Sequence, residues 1–166
     1  MNGCIAVAIS YAVDSLGVQH WSIHLYKEPR DPNSPTNDDA NDDSRLHTVY
    51  QCVGNLHNFF VTVDSNYDPL EEPHIHFRQR VGDRLLDIEM GYADEALRGV
   101  PVDNTSWVYS SQIWVFDALD ALYDIDLLPD DHYAVAHSTL CDFHQRIEEM
   151  PGDVDYFLPG DLDLSD

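Results

Sequence analysis

Val18-Gln19-His20-Trp21-Ser22-Ile23-His24-Leu25-Tyr26 alternates without interruption. His20, Ser22, His24 and Tyr26 fall on one side and Trp21, Ile23 and Leu25 on the other, the period-two pattern of a strand with one face on a core. A slip of one residue would exchange the two faces, so the pattern also constrains register. Upstream, residues 4–13 form an apolar run with Ile5, Val7, Ile9 and Val13, broken by the turn signal Asp14-Ser15-Leu16-Gly17. Downstream, residues 45–54 (RLHTVYQCVG) and 58–64 (NFFVTVD) read as strands joined by a turn around Asn55. Residues 74–81 (HIHFRQRV) alternate again, and after Gly82-Asp83 the stretch 84–90 places Leu86, Ile88 and Met90 on one face. Five or six strands with short links predict antiparallel pairing.

The period then changes. Residues 92–98 predict a short helix that ends at Gly99, with Pro101 soon after. From Ser111 the apolar positions Trp114, Val115, Ala118, Leu119 and Leu122 recur at three- and four-residue spacing, which marks an amphipathic helix ending before Leu127-Leu128-Pro129. Asp130 or Asp131 caps a further helix with a stripe of Tyr133, Ala136, Leu140, Phe143, Ile147 and Met150, and Pro151-Gly152 stops it. The predicted fold class is therefore α+β, a mostly antiparallel five- to six-stranded sheet packed against helices. One domain is expected over residues 1–150, followed by an acidic tail over 151–166. Residues 28–44 (EPRDPNSPTNDDANDDS) read as an acidic loop between two strands. Their aspartates lack the alternation, central glycine and terminal glutamate of an EF-hand, which favours a solvated loop over a calcium site.

The chain has 166 residues, enough to bury a core without disulfide or metal staples. Its 31 acidic residues against 8 basic ones give a formal charge of -23, and Lys27 is the sole lysine. That field repels nucleic acid and anionic membranes, so neither is expected as a partner. It suits a cationic partner or plain solubility. No apolar stretch approaches a membrane span. No positively charged segment precedes the apolar run at 4–8 and no small-residue cleavage site follows it, so no secretory signal is read. Cys4, Cys52 and Cys141 form neither a CxxC pair nor a disulfide framework. A reducing compartment, most simply the cytoplasm, is the expectation.

Two segments carry chemistry. The strand quoted above presents His20 immediately before Trp21, and Trp107-Val108-Tyr109-Ser110-Ser111-Gln112-Ile113-Trp114-Val115 leads into the central helix. The first resembles the histidine strand of the lecithin:retinol acyltransferase and NlpC-type proteins, which carries a His-Trp-Ala-Leu/Ile-Tyr pattern. The second resembles their Asn-Cys-(Glu/Gln)-x-(Phe/Trp)-Val helix start. Histidine before nucleophile is the order of the circularly permuted papain-like members. The layout is most similar to a group of small fungal proteins in which a Val-Pro segment, here Val100-Pro101, separates the two motifs.

The resemblance implies acyl-transfer chemistry on an amide, ester or thioester, with a small molecule or peptide as substrate. It puts His20 as general base, Ser111 at the nucleophile position and His47 as the group that orients His20. A nucleophile in the first turn of a helix sits at the positive end of the macrodipole, and a base with its far ring nitrogen held by a third group completes a triad. The departure is Ser111 itself. A thiol there is ionised by the helix start and an imidazolium, whereas a hydroxyl must lose its proton during attack. Serine in this place fits a natural inactive relative, a natural serine variant or an inactivating substitution. A noncatalytic module that keeps the cleft for a small ligand or cationic peptide is the alternative.

The remaining candidates have structural readings. His24 shares the polar face of its strand with His20. His74 and His76 share a strand face at a spacing that suits zinc, but no third ligand stands beside them, and His132, His137 and His144 lack the spacing of a helical ligand pair. No metal or cofactor is expected. Cys52 faces away from His47 and reads as core, Cys141 lies next to a helical apolar stripe, and Trp21, Trp107 and Trp114 flank the proposed site.

Overall fold

Among the described residues, alternation of apolar residues builds five strands: β1 (Gly3–Val13), β2 (Gln19–Lys27), β3 (His47–Val53), β4 (Phe60–Tyr67) and β5 (Ile75–Leu85). The structure, a computed structural model, describes residues 3–13, 18–27, 47–68 and 75–148. The expectations for the turn at 14–17, the loop at 28–44, the imidazoles of His74 and His76, the apolar ends Ile147 and Met150 and the tail at 151–166 lie outside the residues or side chains so described. The strands form one sheet in the order β4-β3-β2-β1-β5, and every neighbouring pair is antiparallel.

The register puts Ile5 opposite Leu25, Val7 opposite Ile23 and Ile9 opposite Trp21, with Ile23 in turn opposite Tyr50. One sheet face is thereby wholly apolar at its centre, as the alternation in β2 predicts. Onto it packs α2 (Ser111–Asp124), which buries Trp114, Val115, Ala118, Leu119 and Leu122. Fully burying a side chain of this size contributes roughly 1.5–3 kcal/mol, so this stripe dominates the attachment. Two further helices flank it, α1 (Asp87–Gly99) and α3 (Asp130–Glu148). Ala93 and Leu97 of α1 join the core, as do Ala136 and Leu140 of α3, with Tyr133 and Phe143 packed at its border. The fold is thus α+β, an antiparallel sheet with three helices among the described residues.

Two expectations change. Gly82-Asp83 is not a turn between strands, because β5 runs through it from Ile75 to Leu85. The pairing with β1 shifts register on both sides of Ile5, which faces Gly82, and Arg84 takes a positive φ of 59°. These are the marks of β-bulges, where glycine is common within a strand. A Cβ on Gly82 would also stand 3.1 Å from Leu128 Cδ2. Residues 84–90 are likewise not a separate strand. Leu86 and Ile88 are 62% and 60% exposed, and α1 already starts at Asp87. Glu89 folds back to accept the Leu86 N–H at 2.6 Å, the reciprocal half of a capping box, and Asp87 and Glu89 add favourable charge to that first turn.

Candidate functional site

β2 and β3 part company at one end. Their pairing runs from Tyr26 opposite His47 to Ser22 opposite Gln51, while β2 continues against β1 to Trp21 and Gln19. The amino end of α2 takes the place that β3 vacates. Ser111 Oγ accepts the backbone N–H of Trp21 at 3.2 Å, and Gln112 Nε2 donates to the Gln19 carbonyl at 3.1 Å. Residues 19 and 21 turn their backbone groups to the same strand edge, so the first two side chains of the helix complete one ladder edge and bracket His20. Both are fully buried, Ser111 at 0% exposure and Gln112 at 1%. Ser110, the residue before the helix, is extended at φ -153° and ψ 174°, and its carbonyl accepts the Trp114 N–H at 3.1 Å. The first turn of α2 carries no acidic residue, so the partial positive charge of the helix start at Ser111 is not offset locally.

His20 lies on the opposite sheet face from Trp21. Its Nε2 stands 2.9 Å from Gln51 Oε1. A carbonyl oxygen only accepts, so Nε2 carries the proton in this contact. Gln51 thus sets the tautomer of His20, as an orienting group must. Gln51 is not among the residues that the sequence motifs mark. Its signal is that it shares the strand face of His47 at positions 47, 49 and 51, but choosing between the two requires the register of β3 against β2. The residues between those strands hide that register.

His47 does not orient His20. It pairs with Tyr26, at the other end of β2. Antiparallel pairing carries β3 away from His47 as β2 runs toward His20, a separation of roughly 20 Å at 3.3–3.4 Å per residue. Its ring meets His24 instead, Nδ1 to Nδ1 at 3.1 Å, and stacks on Tyr26 with centroids 4.4 Å apart. His24 Nε2 in turn meets Ser22 Oγ at 3.1 Å. His24, 1% exposed, is more deeply buried than its place on the polar strand face suggested. Burial first, then the charge of Arg78, hold both rings well below the ordinary imidazole range, His24 at about 3 and His47 at about 4. Proximity of the two rings lowers His24 further, whereas Asp68 pulls His47 back up.

The segment before α2 is pinned to the turn between β3 and β4. Asn104 Oδ1 accepts the Phe59 N–H at 2.7 Å and its Nδ2 donates to the Phe59 carbonyl at 3.0 Å. His57 Nδ1 donates to the Asn104 carbonyl at 2.8 Å, and its ring meets Trp107 edge-on with centroids 4.6 Å apart. Trp107 is 72% exposed, so of the three tryptophans Trp21 and Trp114 belong to the core and Trp107 to the surface. Cys52 is buried in the core, and Cys141 is half-buried with Sγ 3.5 Å from His137 Nδ1. Among the described residues no three His, Cys, Asp or Glu side chains converge as a metal site, and no helix is long and apolar enough to cross a membrane.

The arrangement offers a hydroxyl at a helix start, an imidazole of defined tautomer on the adjoining strand, and an amide that holds the imidazole. No protein-family model, no curated protein and no solved structure matches the chain.

Proposed function

We propose that the chain carries an acyl-transfer centre, or its inactive serine form, in a permuted papain-like frame, with residue 111 at the nucleophile position, His20 as base and Gln51 as the group that positions His20. The observation that carries this reading is the pair of hydrogen bonds by which Ser111 and Gln112 grip β2 on either side of His20. They hold the helix start and the histidine strand in one fixed relation, which is what nucleophile and base require. Because Ser111 accepts from Trp21, its own proton remains to be donated to a base. In this reading His20, the residue between the two bonds, is the base that accepts it. An amide, ester or thioester carbonyl would be attacked by Oγ, the proton passing to the imidazole and then to the leaving group. The substrate in this reading is a small molecule or peptide.

The second reading, a noncatalytic binding module, is favoured by one specific observation. Complete burial and the bond to Trp21 account for Ser111 as a structural residue that finishes a strand edge. Replacing Ser111 with cysteine separates the two. In Ser111→Cys, iodoacetamide should modify residue 111 faster than the half-buried Cys141, and His20→Ala in that background should abolish the advantage. Gln51→Ala should reduce the rate about tenfold and shift its pH profile. Alkylation at residue 111 no faster than at Cys141, or untouched by His20→Ala, leaves the binding module.

A further inference from the structure

The segment that leads into α2 holds a tryptophan in water. Trp107 is 72% exposed and its neighbour Val108 69%, whereas Trp21 and Trp114 are buried. Single exposed apolar residues are ordinary on a protein surface. What sets this pair apart is the framework that keeps it there. Asn104 bonds both backbone groups of Phe59, His57 donates to the Asn104 carbonyl, and the His57 ring stands perpendicular to the indole. On the other flank Asp103 Oδ1 accepts the Thr105 N–H at 2.8 Å, the Thr105 hydroxyl at 2.6 Å and the Ser106 N–H at 3.2 Å. Ser106 Oγ accepts the Val108 N–H at 3.2 Å. Tyr109, buried against Phe59, closes the segment by donating to the Pro101 carbonyl at 3.2 Å. Apolar surface kept in water forgoes about 25 cal/mol per Å², so an indole fixed in an exposed position fits a surface that a partner completes.

Charge decides which partner. The turn between β3 and β4 and the approach to α2 belong to residues 46–77 and 99–145, and neither stretch contains a lysine or arginine. All three donors to Asp103 converge on Oδ1, and among the described residues no bond reaches Oδ2. Perpendicular rings meet edge to face, so His57 takes up one face of the indole at most and leaves the other open. That face is the negative pole of the ring quadrupole and attracts a cation. A second copy of the chain, at -23, would bring like charge instead. So would the chain's own residues 151–166, which hold five aspartates and no basic residue.

We propose that Trp107, Val108 and Asp103 form a docking surface for a basic peptide segment, an arginine of the partner lying over the open indole face and pairing with the Asp103 carboxylate. A guanidinium suits both contacts, because its plane stacks on an aromatic ring while its N–H groups still reach a carboxylate in the same plane. The ammonium of lysine is compact and more strongly hydrated. Val108 offers apolar surface to the methylene stem of such a side chain. The surface lies four residues before Ser111 and requires nothing of the chemistry there. It serves a bound peptide and a substrate peptide alike.

The test uses the full chain at pH 7 and roughly 0.15 M salt, where diffuse attraction between distant charges is screened. A short arginine–glycine peptide is titrated, followed by the anisotropy of a label on the peptide and by acrylamide quenching of tryptophan. Trp107 is the exposed indole, so it dominates the quenching. Saturable binding that protects Trp107 is expected, and a lysine–glycine peptide of equal charge should bind more weakly. Trp107→Leu should weaken the arginine peptide about fivefold and remove its advantage over lysine, with Trp107→Phe between the two. Asp103→Asn keeps the Oδ1 acceptor and should cost about threefold. Absence of saturable binding, unchanged affinity in Trp107→Leu, or quenching untouched by saturating peptide would each overturn the proposal. An indole already shielded in the dilute free chain, or shielded as protein concentration rises, would assign the surface to the chain itself or to a second copy, and overturn it equally.

Discussion

Acidification from pH 7.5 to 5 should destabilise the protein through the His24–His47 pair. An unfolded histidine takes up its proton near pH 6.5, whereas burial and Arg78 keep His24 and His47 neutral in the fold down to about 3 and about 4. Between those values the unfolded chain binds more protons than the native one, so stability falls as pH falls. It is fully present above pH 6.5 and lost progressively toward the folded values. Each histidine that stays neutral contributes a slope approaching about 1.4 kcal/mol per pH unit. Integrated from pH 7.5 to 5, each costs about 2 kcal/mol and the pair about 4 kcal/mol, a large share of the 5–15 kcal/mol typical of a folded domain. At about 2–4 °C per kcal/mol for a chain of this size, the midpoint of thermal unfolding should drop by roughly 10 °C. Scanning calorimetry or tryptophan-monitored urea unfolding at half-unit pH steps provides the curve. The double variant His24→Gln/His47→Gln, less stable at pH 7.5, should show a clearly flatter profile over the same range, because carboxylates remain mostly ionised above pH 5. A parent profile that is flat or rises toward pH 5, or a double variant with the parent's slope, would refute the reasoning.

Two further outcomes concern the fold. Gly54 has φ 120°, and a Cβ there would lie 2.3 Å from the Asn58 carbonyl oxygen, which is backbone and held in a turn by the Asn58 N–H to Asn55 carbonyl bond. Gly54→Ala should therefore cost roughly 2 kcal/mol or more in urea unfolding, and a loss below about 0.5 kcal/mol would contradict the strained turn. The Tyr50 hydroxyl donates to Asp94 at 2.5 Å, and Asp94 also pairs with Arg98 at 2.9 Å. Tyr50→Phe should cost about 1.5–3 kcal/mol, the range for a hydrogen bond to a charged group, and an unchanged unfolding midpoint would show that this bond contributes nothing.

Legibility differed sharply among the elements. β2 is legible together with its two faces because strict alternation over Trp21, Ile23 and Leu25 encodes both conformation and burial. α2 was equally plain, since its buried set matches the three- and four-residue spacing of Trp114 through Leu122. β5 and α1 were not. Gly82-Asp83 has the composition of a turn but sits at a bulge, and Leu86, Ile88 and Met90 mimic a strand face although they lead into a helix. A bulge and a turn use the same residues, and only the partner strand distinguishes them.

The candidate site divides in the same way. Local periodicity by itself determined that His20 begins a half-buried strand, that Ser111 opens a helix, and that His24, His47 and Ser22 lie on faces away from the core. Which of these meet was decided by register and packing. The departure of β3 from β2 brings Ser111 and Gln112 to either side of His20, and the pairing of His47 with Tyr26 gives it to His24 and leaves Gln51 to His20. A sequence pattern of period two reports which way a side chain points. Its neighbour on the next strand depends on where two distant segments come into alignment, and a shift of two residues leaves the pattern unchanged while replacing every partner.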